Sequence, residues 1–241
     1  MMRLAILSVA TFTLTAPMAL AEGDWIVGII VDGDQSPYVE GMDSVDVLPY
    51  IAFETERFHI GIDGISYEAF DNGSLSIDAR LDPRFAPDLP NTTLFDGLDR
   101  DDAIDAGLSA NYSFGQTYAA VRVKGDVTGV YDGFAGELAI GYETVLGPLL
   151  IDASAGVQLR DANLNNYLYG VSTEEAADGR PAFKLSNTAN AFAEVTVLMP
   201  VADDMFVLGE IGYADLGEAA DSPLVADDSR LGITLGVGYQ F

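Results

Sequence analysis

The 241-residue chain contains no cysteine, a single histidine, and only 11 Lys and Arg against 38 Asp and Glu. Without cysteine there is no disulfide staple, no thiol nucleophile and no lipid-modified cysteine near the N-terminus. His59 is the only candidate base for a hydrolase, and no Gly-x-Ser-x-Gly elbow accompanies it. Enzymatic activity is therefore not expected. The shortage of cations, with a net charge of -27, argues against nucleic acid and against anionic membrane surfaces as partners. No phosphate, dinucleotide or metal motif is present, so no cofactor and no metal are expected. Beyond the first residues there is also no long apolar run, although 49% of the chain is hydrophobic. That excludes a membrane-spanning helix.

What is present begins with a targeting pattern. Arg3 supplies a positive start, Leu4 to Leu14 an apolar stretch, and Ala19-Leu20-Ala21 a small-x-small cleavage site. Residues 1–21 are expected to be a signal peptide, and 22–241 the mature domain. Thr11, Thr13, Thr15 and Pro17 make the stretch too short and too polar for an uncleaved anchor.

The mature sequence alternates with a period of two. In the closing segment Leu231, Ile233, Leu235, Val237, Tyr239 and Phe241 share one face, opposite Gly232, Thr234, Gly236, Gly238 and Gln240. One apolar and one small polar face define a strand, and the glycines predict a lumen crowded by side chains from elsewhere. Trp25, Val27, Ile29 and Val31 repeat the pattern, as do Leu149, Ile151, Ala153, Ala155, Val157 and Leu159. Such strands need about ten residues each and give no hydropathy peak, which is the pattern of a transmembrane barrel.

Connections alternate between short and long. Tight turns fall at Glu54–Arg57, Phe114–Gln116, Leu146–Pro148 and Pro200–Asp204, and long polar segments at 32–44, 82–102, 161–187 and 215–229. Short turns belong on the periplasmic side and long loops outside. Only Phe58 to Leu81 resists an even count. Read as a short hairpin turning at Asp63-Gly64 and again at Asp71-Asn-Gly73, it restores one. The fold expected is all-β: one transmembrane antiparallel up-and-down barrel of about 12 strands, with 10 as the alternative.

Inward positions carry Arg80, Arg122, Lys124 and Arg160 beside Asp78, Asp105, Asp126, Glu137, Glu143, Asp152, Glu194 and Glu210. A barrel of this size is expected to hold them as a constricted charge network, pairing across the lumen. In a wider pore the carboxylate excess selects cations. The acidic loop with Asp96, Asp99, Asp101, Asp102 and Asp105 lacks the spacing of a calcium loop and reads as solvated charge. Trp25, Tyr50, Tyr67, Tyr112, Tyr142, Tyr213, Tyr239 and Phe241 lie near strand ends, as interfacial girdle residues do.

The closing segment, ending Tyr239-Gln-Phe241, resembles the last strand of bacterial outer-membrane barrels. The resemblance implies that Tyr239 and Phe241 form the signal read by the barrel-assembly machinery. Ser36-Pro-Tyr-Val-Glu-Gly41 with Val47-Leu-Pro-Tyr50, then Tyr167-Leu-Tyr-Gly-Val-Ser172 with Gly179-Arg-Pro-Ala-Phe183, then Leu216 to Val225 occur in an order that resembles the MipA/OmpV family. One departure is Arg180-Pro-Ala-Phe183, where the family tends to have Leu-Pro-x-Tyr. The resemblance implies a non-enzymatic protein of the outer membrane, in contact with its lipid and lipopolysaccharide. It further implies a scaffold joining a lytic transglycosylase to a murein synthase. The alternative is a small cation-preferring channel or uptake porin.

Overall fold

The computed structural model describes residues 23–241, so the signal-peptide expectation for residues 1–21 lies outside the described residues. From the N-terminus these form β1 (Asp24–Asp34), β2 (Ser44–Glu54), β3 (Phe58–Gly61), β4 (Gly64–Asp71), β5 (Leu75–Arg84) and β6 (Ala103–Phe114). Then follow β7 (Thr117–Asp126), β8 (Phe134–Leu146), β9 (Leu149–Arg160), α1 (Ala162–Tyr169), β10 (Thr188–Ala202), β11 (Met205–Asp215) and β12 (Ser229–Gln240). The twelve strands make one closed antiparallel barrel in sequence order, with β12 sealing against β1. The seam runs from Ile26↔Gln240 to Asp34↔Gly232, and Trp25 and Phe241 exchange backbone hydrogen bonds of 2.9 and 3.0 Å below it. The expected twelve-stranded up-and-down barrel is the fold observed.

Alternation decides which way each side chain points. The apolar set of β12 is exposed outward, while Gly232 and Gly238 are buried inside. The inner glycines leave room for neighbours: a Cβ on Gly238 would lie 2.4 Å from the Phe206 ring, and one on Gly236 3.2 Å from Ile30 Cγ2. With Ile26, Leu48 and Ala52 also buried, the lumen beside β12, β1 and β2 is packed. Trp25, Tyr67, Tyr112, Tyr142, Tyr213, Tyr239 and Phe241 are exposed on the outer surface. Tyr50 departs from the expected girdle. It shares the inward face of β2 with Leu48 and Ala52 and is half-buried.

The short hairpin is present, with its turn at Ile62–Asp63, one residue earlier than expected. Gly64 opens β4 at φ 127, a conformation that costs glycine least. The hairpin reaches only part-way up the wall. β2 pairs with β3 solely through Phe53↔Ile60 and Glu54↔His59, and β4 pairs with β5 no higher than Ile65↔Leu81. Above the tip, the edges of β2 and β5 face each other across a notch. Each edge carries a proline, Pro49 and Pro83, whose ladder partners Ile29 and Ile104 lie on the opposite side. A proline is tolerated where its missing N–H meets an unpaired edge, so the notch is written into the sequence.

The long loops do not stay solvated. Tyr38, Phe95, Tyr169, Val171, Leu185, Leu216 and Leu224 from four of them pack into one buried cluster, and Tyr131, Leu164 and Tyr167 form a second. Together they roof the upper mouth. Asp161 caps α1 by accepting from the Leu164 N–H at 2.9 Å. The Tyr38 hydroxyl donates to the Leu168 carbonyl at 3.1 Å, and Val39 N–H to the Leu224 carbonyl at 2.9 Å. Burial pushes the Tyr167 phenol up to about 12, so it stays protonated and donates to the Asp101 carbonyl at 2.7 Å. Arg100 bridges the Tyr167 carbonyl at 2.6 Å and the Glu175 carboxylate at 2.7 Å. Burial opposes ionisation of Glu175, but donors from Arg100 and Ser172 outweigh it and lower its pKa.

Arg180, the departure from the family pattern, is buried at the centre of this roof. Its guanidinium donates to the carbonyls of Leu94, Asp96 and Glu175, tying two loops together. Arg180→Leu leaves those carbonyls without their donor and is expected to cost the roof about 2 kcal/mol. Limited proteolysis near Leu94–Asp96 should then run at least tenfold faster, roughly the ratio that energy sets. Cleavage at the wild-type rate would show that the clamp carries no weight.

Candidate functional site

The lumen wall is built by inward residues of strands that tilt, so a row of cross-strand partners climbs as it circles the barrel. On β5–β7 adjacent rows bring opposite charges together, Asp82 and Asp105 lying in one row and Arg80 and Lys124 in the next. Arg80 meets Asp82 at 3.1 Å, and Lys124 meets Asp82 at 3.1 Å and Asp105 at 3.9 Å. Arg84 donates to Asp105 through Nε at 3.0 Å and lies 5.3 Å from the Tyr131 ring centre, while the Tyr131 hydroxyl donates to Asp105. Asp105 is only 1% exposed. It belongs to this cluster rather than to the acidic loop. A burial that complete is tolerable because its oxygens have cationic and phenolic partners.

The remaining members of the expected network lie elsewhere on the wall. Among the described residues, Arg122, Arg160, Glu137, Glu143, Asp152, Glu194 and Glu210 form no ion pair. Arg122 and Glu137 are cross-strand neighbours, as are Glu137 and Gln158. Arg160 donates to Gln158 at 2.9 Å. Three of these carboxylates, Glu143, Asp152 and Glu210, fall on an unbroken row across seven strands, Glu143↔Asp152↔Thr196↔Glu210↔Thr234↔Asp32↔Asp46. It starts three residues above the lower end of β8 and finishes two residues below the upper end of β2. Hydroxyls flank Glu210, whereas Glu143 and Asp152, and Asp32 and Asp46, are direct neighbours: Thr234 donates to Asp32 at 2.6 Å, and Thr196 lies 3.5 Å from Glu210. Among the described residues no three acidic or histidine side chains could hold one metal ion.

A cavity of about 310 Å³ runs between the two wall regions under the roof. Arg84, Arg122, Lys124, Arg160 and Arg230 line it together with Asp34, Glu137, Glu143, Asp152 and Glu194. Arg84, Arg160 and Arg230 sit at the upper ends of their strands, whereas Glu143 and Asp152 sit near the lower ends of theirs. Arg230 is held by Asp34 at 2.9 Å. His59 is outside this cavity's lining. It sits on β3 between two acids, with Nδ1 3.0 Å from Glu54 and Nε2 2.9 Å from Asp63.

Sequence reasoning missed the roof and Asp82. Asp82 reads as the start of a loop, yet β5 runs two residues further.

Lipid-facing strands around a polar, roofed lumen define an outer-membrane β-barrel protein. The sequence profile described as "MltA-interacting protein MipA" matches residues 27–241, and the chain belongs to that family. It is 29% identical to the MltA-interacting protein of Escherichia coli (strain K12) over 100% of both chains. Outer membrane protein OmpV of Vibrio cholerae is 22% identical, with 91% of this chain and 88% of that one covered. Among solved structures, the translocator domain of autotransporter NalP from Neisseria meningitidis gives a TM-score of 0.49 at 12% identity, covering 91% of this chain and 88% of that one. The protein resides in the outer membrane.

Proposed function

We propose that the protein is a non-enzymatic structural and interaction barrel, delivered by residues 1–21 and docking a lytic transglycosylase and a murein synthase at its periplasmic end. The observation that carries this reading is the likeness to the MltA-interacting protein over the full length of both chains. The roof supports it, since the long outer loops pack into their own buried clusters rather than standing open around a wide pore. Periplasmic turns this short offer a rim rather than a domain. Exposed Glu56, Asp71, Asp203 and Asp204 make that rim acidic, so it suits a partner with a basic face. Mild crosslinking in membranes, followed by pulldown, is expected to recover a murein-cleaving enzyme, with recovery falling severalfold for Asp203→Lys/Asp204→Lys. A pulldown that recovers no murein enzyme sinks the scaffold.

The carboxylate row favours a second reading, a small cation-preferring channel. Steady cation-selective current from refolded protein in a planar bilayer would support it, and electrical silence would end it.

A further inference from the structure

We propose that the lumen cavity is a binding site for a small zwitterion, a short peptide or amino acid carrying a free ammonium and a free carboxylate. Its wall holds buried charged atoms of both signs with no partner. Asp152 is 2% exposed, and although its Oδ1 accepts from the Tyr118 hydroxyl at 3.2 Å, Oδ2 has none. Glu194, 7% exposed, is likewise open at Oε1. Facing the same cavity, Arg122 Nε and Arg160 Nη1 have no acceptor. Leaving such atoms unpaired is costly, and the two sets share no hydrogen bond, since the Arg122 charge reaches Glu194 only at longer range.

Register explains why. Glu194 stands opposite Ser154, and Arg122 shares its row with Glu137 and Gln158. Ser154 and Gln158 are four residues apart on β9, so the rows are separated by about 13 Å at 3.3 Å per residue. A ligand that satisfies both ends must bear both charges. An inorganic anion or a monovalent cation answers one pole, and a neutral solute neither. A chelated metal is not accommodated among the described residues. The cavity lining reaches both ends of the barrel, with exposed Glu143 below and exposed Met42 and Asp88 among the outer loops. This inference stands whether or not an enzyme docks at the rim.

The test uses the refolded full barrel in lipid and trialanine as probe, with binding read by calorimetry. Wild type is expected to bind trialanine and to lose about tenfold or more in affinity for both N-acetyl-trialanine and trialanine amide, the scale of one charged hydrogen bond. Glu194→Gln should erase the discrimination against the acetylated peptide only. Arg122→Gln should erase that against the amide only. Heat-modifiable gel mobility identifies folded variants, and Asp152→Asn replaces Glu194→Gln if the latter does not fold. Equal affinity for all three peptides, or no binding of trialanine by folded wild type, overturns the site.

Discussion

Asp105→Ala is expected to destabilise the barrel by about 3–5 kcal/mol, because it removes one partner from a buried set of charges. Arg84 and Lys124 lose their shared carboxylate, and the Tyr131 hydroxyl loses its acceptor. Lys124 keeps Asp82, but the Arg84 side chain is only 18% exposed, so little water reaches it to replace the carboxylate. The urea midpoint of refolded protein in lipid should drop accordingly, with an unchanged slope. Asp105→Leu combined with Arg84→Met should recover part of the loss, because the uncompensated charge goes with its partner. If Asp105→Ala leaves the midpoint at the wild-type value, the cluster is not a structural hub.

Gly156→Val should prevent folding of most molecules. A Cβ at Gly156 would lie 2.0 Å from the Leu138 carbonyl oxygen and 2.9 Å from the Ala139 Cα. Both are backbone atoms, so no rotamer change relieves the clash. The ladder from Leu138↔Val157 to Ala139↔Gly156 must part instead. The cost is expected to be about 3 kcal/mol or more, at the upper end for overpacked sites. Refolding yield, read as the fraction of heat-modifiable protein, should fall severalfold. Gly209→Ala is the matched control: its Cβ would meet only Leu235 Cδ2 at 3.6 Å, an ordinary contact. Equal yields for both variants would show that the close approach on β8–β9 is not limiting.

Strands were legible because alternation is local: the two faces of β12 can be read from twelve consecutive letters. The hairpin of β3 and β4 was legible through the parity of the count and its Asp63-Gly64 pair, with the turn one residue off. The roof was not. Tyr38, Phe95, Leu164, Tyr167 and Leu216 are scattered through polar loops with no period, and only the fold brings them together. Asp161 ahead of Ala162–Tyr169 was a usable helix start, but eight residues give too few turns for an apolar stripe. Period alone sorts the charged residues onto one face of each strand. Their pairing was not readable, because Asp82 and Lys124 meet through register across forty-two positions of chain.

The notch gives the wall a direction of weakness. Every other seam is stitched along most of a strand, but β2 and β3 hold each other through Phe53↔Ile60 and Glu54↔His59 alone. Val45 and Val47, just above, are 73% and 62% exposed, more bare than the lipid-facing valines of the paired strands. Force applied across the wall is expected to open this seam first, because two residue pairs resist it where nine hold the β1–β12 closure. A cylinder with one short seam behaves mechanically as a clasp, its hinge spread over the fully stitched strands opposite.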